Sequence, residues 1–191
     1  MIVSYDDEFT REYLKSYQID ELVGFNRIED WSGISNEVFL PGYIEKPFPP
    51  NEYFNMMMEY TKPGYIIYLD DDDKFSSPDS LSKIISRISN ERQMLLWRVQ
   101  FPGYLIPDNQ HFGQTPVCCQ IASSGFTLHS SYIKHAQWDG YNYSDFRTAL
   151  SLFLHIPQKG FINEVITALQ SITGSGLINN LPIQNRIENE I

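Results

Sequence analysis

The segment Gly64-Tyr65-Ile66-Ile67-Tyr68-Leu69 runs directly into Asp70-Asp71-Asp72-Asp73. Its apolar part, Tyr65 to Leu69, reads as a buried strand, which commits the chain to a core built on a sheet. Four adjacent carboxylates repel one another. A chain carries them at the end of a core strand when a cation or solvent neutralises them. Hard divalent cations such as Mg²⁺ and Mn²⁺ take oxygen ligands, and open α/β sheets bind ligands at the carboxyl ends of their strands. The pattern therefore predicts a metal-assisted site for a phosphorylated ligand. A solvated acidic turn is the plain alternative. An EF-hand loop does not fit, because its glycine and glutamate positions fall on Phe75 and Leu81. Asp70 to Lys74 also spells a protease tag site, but here it continues an apolar strand and no other tag sequence surrounds it.

A length of 191 residues suits one domain with a proper core. We place that domain at residues 1–173, with a polar tail at 174–191 behind Gly174-Ser175-Gly176. The net charge of −10 argues against general nucleic-acid binding, which draws its affinity from Lys and Arg on phosphates. It argues equally against an anionic membrane surface. No apolar run reaches the roughly eighteen residues of a membrane span. Cys118 and Cys119 are the only cysteines, and adjacent residues rarely reach disulfide geometry without a strained peptide. They predict reduced packing thiols in a cytoplasmic protein and give little support for zinc.

Periodicity divides the chain into alternating elements. Strands are expected at Ile2 to Tyr5, Leu22 to Phe25, Tyr65 to Leu69 and Met94 to Val99, with extended pieces at Val117 to Ala122 and Gly125 to His129. Helices are expected at Thr10 to Tyr17, Asn51 to Tyr60, residues 79–90, Ser131 to Ala136, Ser144 to His155 and Asn163 to Ile172. Leu81, Ile84, Ile85 and Ile88 form the apolar face of the 79–90 helix, and Phe146, Ala149, Leu150 and Phe153 that of the next long one. Residues 26–50, with four prolines, form a long loop of the kind that is functional or mobile. Alternating strands and helices predict an α/β sheet with helices on its faces.

The order of these elements resembles a GT-A glycosyltransferase of the family-2 type. Three stretches carry the resemblance: Ile2-Val3-Ser4-Tyr5-Asp6-Asp7 with the helix after it; Tyr65 to Asp73, matching the strand that ends in an Asp-x-Asp motif; and Trp138-Asp139-Gly140 followed by Ser144-Asp145-Phe146-Arg147. The Asp-x-Asp stretch is the specific one, and the similarity spans roughly residues 1 to 160. It implies a Rossmann-like fold with a mixed, mostly parallel sheet and helices on both faces. It further implies a metal-dependent transfer of a sugar from a nucleotide-sugar donor to a hydroxyl acceptor such as a glycan, inverting, with Mn²⁺ or Mg²⁺ as cofactor. Asp6 and Asp7 then meet the nucleotide. Asp70 and Asp72 are the metal positions, with Asp70 and Asp71 also on the nucleotide-sugar side. Asp145 is the general base that takes the acceptor's proton.

Other residues are candidates on their chemistry. Arg98 suits a phosphate, or a strand end. Ser123-Ser124-Gly125 permits close backbone approach to a sugar, with Ser124 and Gly125 as the binding candidates, or forms a turn. Trp138 and Tyr141 suit stacking on an acceptor sugar, or the core. His129 and His155 are candidates to complete a metal shell, or are structural. Asp145 has its own plain reading, local pairing with Arg147. In the family a first strand and helix precede the stretch that matches Ile2 to Asp7. Met1 to Tyr5 is therefore expected beside Tyr65 to Leu69 in the sheet, in place of that strand, or the biological protein is longer. The competing function is a shortened, non-catalytic glycosyltransferase-like domain for binding or assembly. A phosphotransferase or nucleotidyltransferase also uses paired acids and metal, but the Gly-rich loop or Lys/Arg cluster of such enzymes is missing from the sequence.

Overall fold

The computed structural model describes residues 2–5, 11, 12, 15, 21–24, 50–70, 73–141 and 143–169, with 2–5, 21–24 and 50 described through their backbone alone. The elements in chain order are β1 (Ile2–Tyr5), β2 (Glu21–Gly24), α1 (Pro50–Met58), β3 (Tyr65–Ile67), β4 (Asp73–Phe75), α2 (Ser80–Arg87), β5 (Gln93–Phe101), β6 (Tyr104–Ile106), β7 (Phe126–His129), α3 (Ser144–His155) and β8 (Gln158–Leu169). Short 3-10 turns lie at Ser123–Gly125 and Ser130–His135. The protein is thus α/β, with a mixed sheet and helices.

β5 organises the molecule. Its residues alternate between two cores, as the two-residue period of a strand requires. Met94 and Leu96 join Phe126, Leu128, Ala149, Leu152 and Ile156, so α3 covers one face, with Phe54 and Met58 of α1 beside it. Leu95, Trp97 and Val99 join Ile84 of α2 and Ile162 and Ile166 of β8 on the other face. Helices therefore flank both faces. Full burial of each Leu or Phe contributes about 1.5–3 kcal/mol.

The six-stranded sheet has the order β3-β7-β5-β8-β4, and β6 pairs with β5. Only the β5–β8 pairing is parallel; the other four are antiparallel. The expectation of a mostly parallel sheet is corrected here. The β5–β6 hairpin shows one local cause: its two connecting residues are Pro102 and Gly103, and Gly103 supplies φ +90°. Such a connection is too short for a parallel crossover.

Three further expectations change. β1 pairs in parallel with β2 as a separate two-stranded sheet, not with β3. β3 therefore lies at an edge of the main sheet among the described residues, rather than in its middle. The stretch expected as a helix from Asn163 is instead the second half of β8, whose Thr167 and Ala168 pair with Val99 and Gln100. Lastly, Leu81 and Ile85 of α2 are exposed, and the buried stripe narrows to Ser80 and Ile84.

The connection from β3 to β4 has the largest consequence. These two strands occupy opposite edges of the sheet, yet only five residues separate Ile67 from Asp73. A turn closed by Asp73 N–H donating to Asp70 C=O at 3.1 Å shortens that path further. Three extended residues and one turn span roughly 18 Å at most. Five strands laid flat would need about 19 Å. The sheet is accordingly curled into a half-barrel.

Candidate functional site

Strand polarity assembles one end of the sheet. The carboxyl end of β3, the amino end of β7 and the amino end of β4 meet there, because Ile67 pairs with Thr127 and Asp73 with Leu169. Asp70 follows β3 and its Oδ2 accepts a hydrogen bond from Ser123 Oγ at 2.6 Å. Ser123 opens the turn before β7. Asp6, Asp7, Asp71 and Asp72 lie outside the described residues, so Asp70 is the described member of the acidic motif's first three carboxylates.

Asp145 stands in the first turn of α3, and its Oδ1 accepts from the Phe146 N–H at 2.7 Å. Burial of its carboxyl, chiefly, pushes its pKa up to about 7. The charges of Asp70 and Asp139 add to that rise, while the Phe146 bond and Arg147 oppose it. Asp70 and Asp145 therefore lie within electrostatic reach of each other, 75 positions apart in the chain. Arg147 forms a forked pair with Asp139 through Nε and Nη2, and its charge also acts on Asp145.

The loop before α3 is pinned from below. Asn51 Nδ2 donates to the carbonyls of Asp139 (2.9 Å) and Tyr141 (2.7 Å). Asn55 donates to the Trp138 carbonyl (2.6 Å) and accepts from the Trp138 N–H (2.9 Å). Ser144 Oγ accepts from the Asp139 N–H at 2.8 Å. Tyr143, directly before α3, has φ +61°. Cys119 has φ +64°, and its neighbour Cys118 feels the Asp145 charge. These are the non-glycine residues with positive φ among those described. Each such position costs on the order of 1–3 kcal/mol, and such strain clusters at functional sites.

Other candidates are engaged elsewhere. Arg98 is buried; it donates from Nε to Asn163 Oδ1 (2.8 Å), from Nη1 to the Pro107 carbonyl (2.8 Å) and from Nη2 to Asn109 Oδ1 (3.0 Å). Its guanidinium also lies 4.4 Å from the Phe112 ring centroid. Ser124 and Gly125 are buried, and a Cβ on Gly125 would sit 3.2 Å from Val99 Cγ2, so this glycine permits packing against β5. Trp138 packs in the core against Phe54 (4.5 Å between centroids) and Tyr68 (5.0 Å), and Tyr141 is buried as well. His129 pairs opposite Tyr65, at the far end of β3 from Asp70. His155 ends α3, about 15 Å along the helix from Asp145, and stacks on His135 at 3.9 Å. Among the described residues there is no group of three or more His, Cys, Asp or Glu able to hold a metal ion. Of the Ser123-Ser124-Gly125 stretch, Ser123 is the residue whose side chain reaches Asp70.

The fold and the site together define an α/β protein with an acidic cluster, Asp70 and Asp145, at one end of a curled sheet. No protein-family model matches the chain, and no curated protein matches it.

Proposed function

We propose that this protein is a metal-dependent glycosyltransferase of GT-A type that moves a sugar from a nucleotide-sugar donor to a hydroxyl acceptor. The observation that carries the reading is the convergence of Asp70 and Asp145, two carboxylates from distant elements, beside a loop held in left-handed backbone. Asp145 is the general base. A base whose pKa lies near 7 is part ionised at neutral pH and takes a proton efficiently from an acceptor hydroxyl as it attacks. The sugar is then attacked from the face opposite its leaving group, with inversion. Ser123 fixes the Asp70 carboxylate, and the core packing of Tyr68 on Trp138 ties the β3 end to the loop that carries Asp145.

Asp70 supplies hard oxygen donors of the kind Mn²⁺ and Mg²⁺ take, and a cation there would offset the part of the Asp145 shift that the Asp70 charge adds to burial. Held there, such a cation would supply Lewis-acid stabilisation for a departing nucleoside diphosphate. Asp72 belongs to the same proposed ligand set.

The test is a thermal-shift series with UDP-, GDP- and dTDP-sugars, with and without Mn²⁺, on wild type, Asp70→Asn and Asp145→Asn. Donor-dependent stabilisation that needs Mn²⁺, is lost in Asp70→Asn and survives in Asp145→Asn, supports the reading. A second reading, a binding domain without transfer, draws support from the use of Arg98, Ser124 and Gly125 in the fold itself. Donor binding in wild type with no sugar transfer to any hydroxyl acceptor, water included, would favour it.

A further inference from the structure

Cys118 and Cys119 stand outside that reading. Their sulfurs are 3.7 Å apart. Both are free thiols; Cys119 is exposed and Cys118 half-buried. Cys119 is held at φ +64° in a turn, a conformation a side-chain-bearing residue adopts only when its surroundings impose it. The strained turn and the close sulfur pair thus coincide at the surface.

Adjacent Cα atoms are about 3.8 Å apart. An ordinary disulfide has them about 4.4–6.8 Å apart, and a bond formed outside that range is strained and more easily reduced. This pair is therefore a poor structural cross-link, but its geometry suits a bond that forms and breaks. We propose that Cys118 and Cys119 form a reversible dithiol–disulfide site, oxidised by hydroperoxides to a vicinal disulfide. The exposed Cys119 reacts first. Its thiolate attacks the peroxide oxygen, the O–O bond breaks and the alcohol leaves with a proton, giving a sulfenic acid on Cys119. The Cys118 sulfur then attacks the Cys119 sulfur, the S–O bond breaks, and water leaves carrying the Cys118 proton. Two thiols are oxidised by two electrons, and one hydroperoxide is reduced to alcohol and water. The order follows from access. Burial, with the charges of Cys119 and Asp145, pushes the Cys118 thiol up to about 12, which suits it to resolving rather than initiating.

The test exposes the folded protein to a hydroperoxide and follows it by intact mass with thiol alkylation. Wild type should lose two hydrogens and both alkylation sites together, form no intermolecular disulfide, and regain both sites with a thiol reductant. Cys118→Ser should stop at a sulfenic acid that dimedone traps on Cys119. Cys119→Ser should keep its thiol. A trivalent arsenical, which bridges two neighbouring thiols, should bind wild type and neither variant. Oxidation that leaves Cys118 alkylatable in wild type, or that yields only disulfide-linked dimers, would overturn the proposal. The wild-type measurements decide the question even if a variant fails to fold.

Discussion

At the residue scale, Asp145 carries an electrostatic cost that the resting fold does not recover. Its native pKa lies above that of an unfolded aspartate near 4, so the native state binds the proton more tightly. Stability is then greatest below pH 4 as far as this group is concerned, and falls as pH rises from about 4 to about 7. Asp145→Asn keeps an oxygen for the Phe146 N–H and removes the charge. We expect it to stabilise the protein by roughly 1–3 kcal/mol at pH 8 and by little at pH 4. Urea unfolding at the two pH values checks this, and equal effects at both would contradict it. The same variant should lose sugar transfer. Part of this residue's setting was legible in the sequence, because the helix from Ser144 to His155 has a clear 3.6-residue apolar period and appears with those bounds. The approach of Asp70 was not, since no local pattern links positions so far apart; only the family resemblance suggested it.

At the scale of elements, β5 and its neighbours explain why several candidate site residues serve the fold instead. Arg98 sits where the β5–β8 register shifts, between Trp97 and Val99, and its fork bridges three neutral acceptors from one loop and a strand. A lysine cannot reproduce that fork. Arg98→Lys should therefore destabilise the protein by roughly 1–3 kcal/mol through unpaired buried acceptors. Donor affinity in the folded fraction should hold; a selective loss of affinity with stability unchanged would restore a phosphate role. Trp138→Ala should cost about 3–5 kcal/mol, as removal of a large core aromatic does, and differential scanning calorimetry reads it. β8 shows why the rest of the architecture was hidden. Val165, Ile166, Ala168 and Leu169 fit a helical spacing, but the segment pairs with β5 on one side and β4 on the other. Tertiary pairing overrides so short a pattern, and the β-branched Ile162, Val165, Ile166 and Thr167 were the signal available for a strand.

At the scale of the whole molecule, binding at the proposed site would add to the stability of the fold. A donor present at a hundredfold excess over its dissociation constant adds about 2.7 kcal/mol of stability. In a protein of this size that corresponds to a rise of roughly 5–10 °C in melting temperature. We expect a shift of that order for the preferred nucleotide sugar with Mn²⁺, and no comparable shift for the free sugar. The position of β8 also governs how the protein is made. It is the last described strand, yet it inserts between β5 and β4. On a ribosome, β5 emerges roughly 70 residues before β8 is complete, an interval on the order of 3–14 s at ordinary elongation rates. Throughout it, the edge of β5 that β8 will cover is unpaired, and Leu95 and Trp97 lack the Ile162 and Ile166 side chains that complete their packing. Release of a chain stopped before Gln158 should therefore yield aggregate rather than a smaller folded domain.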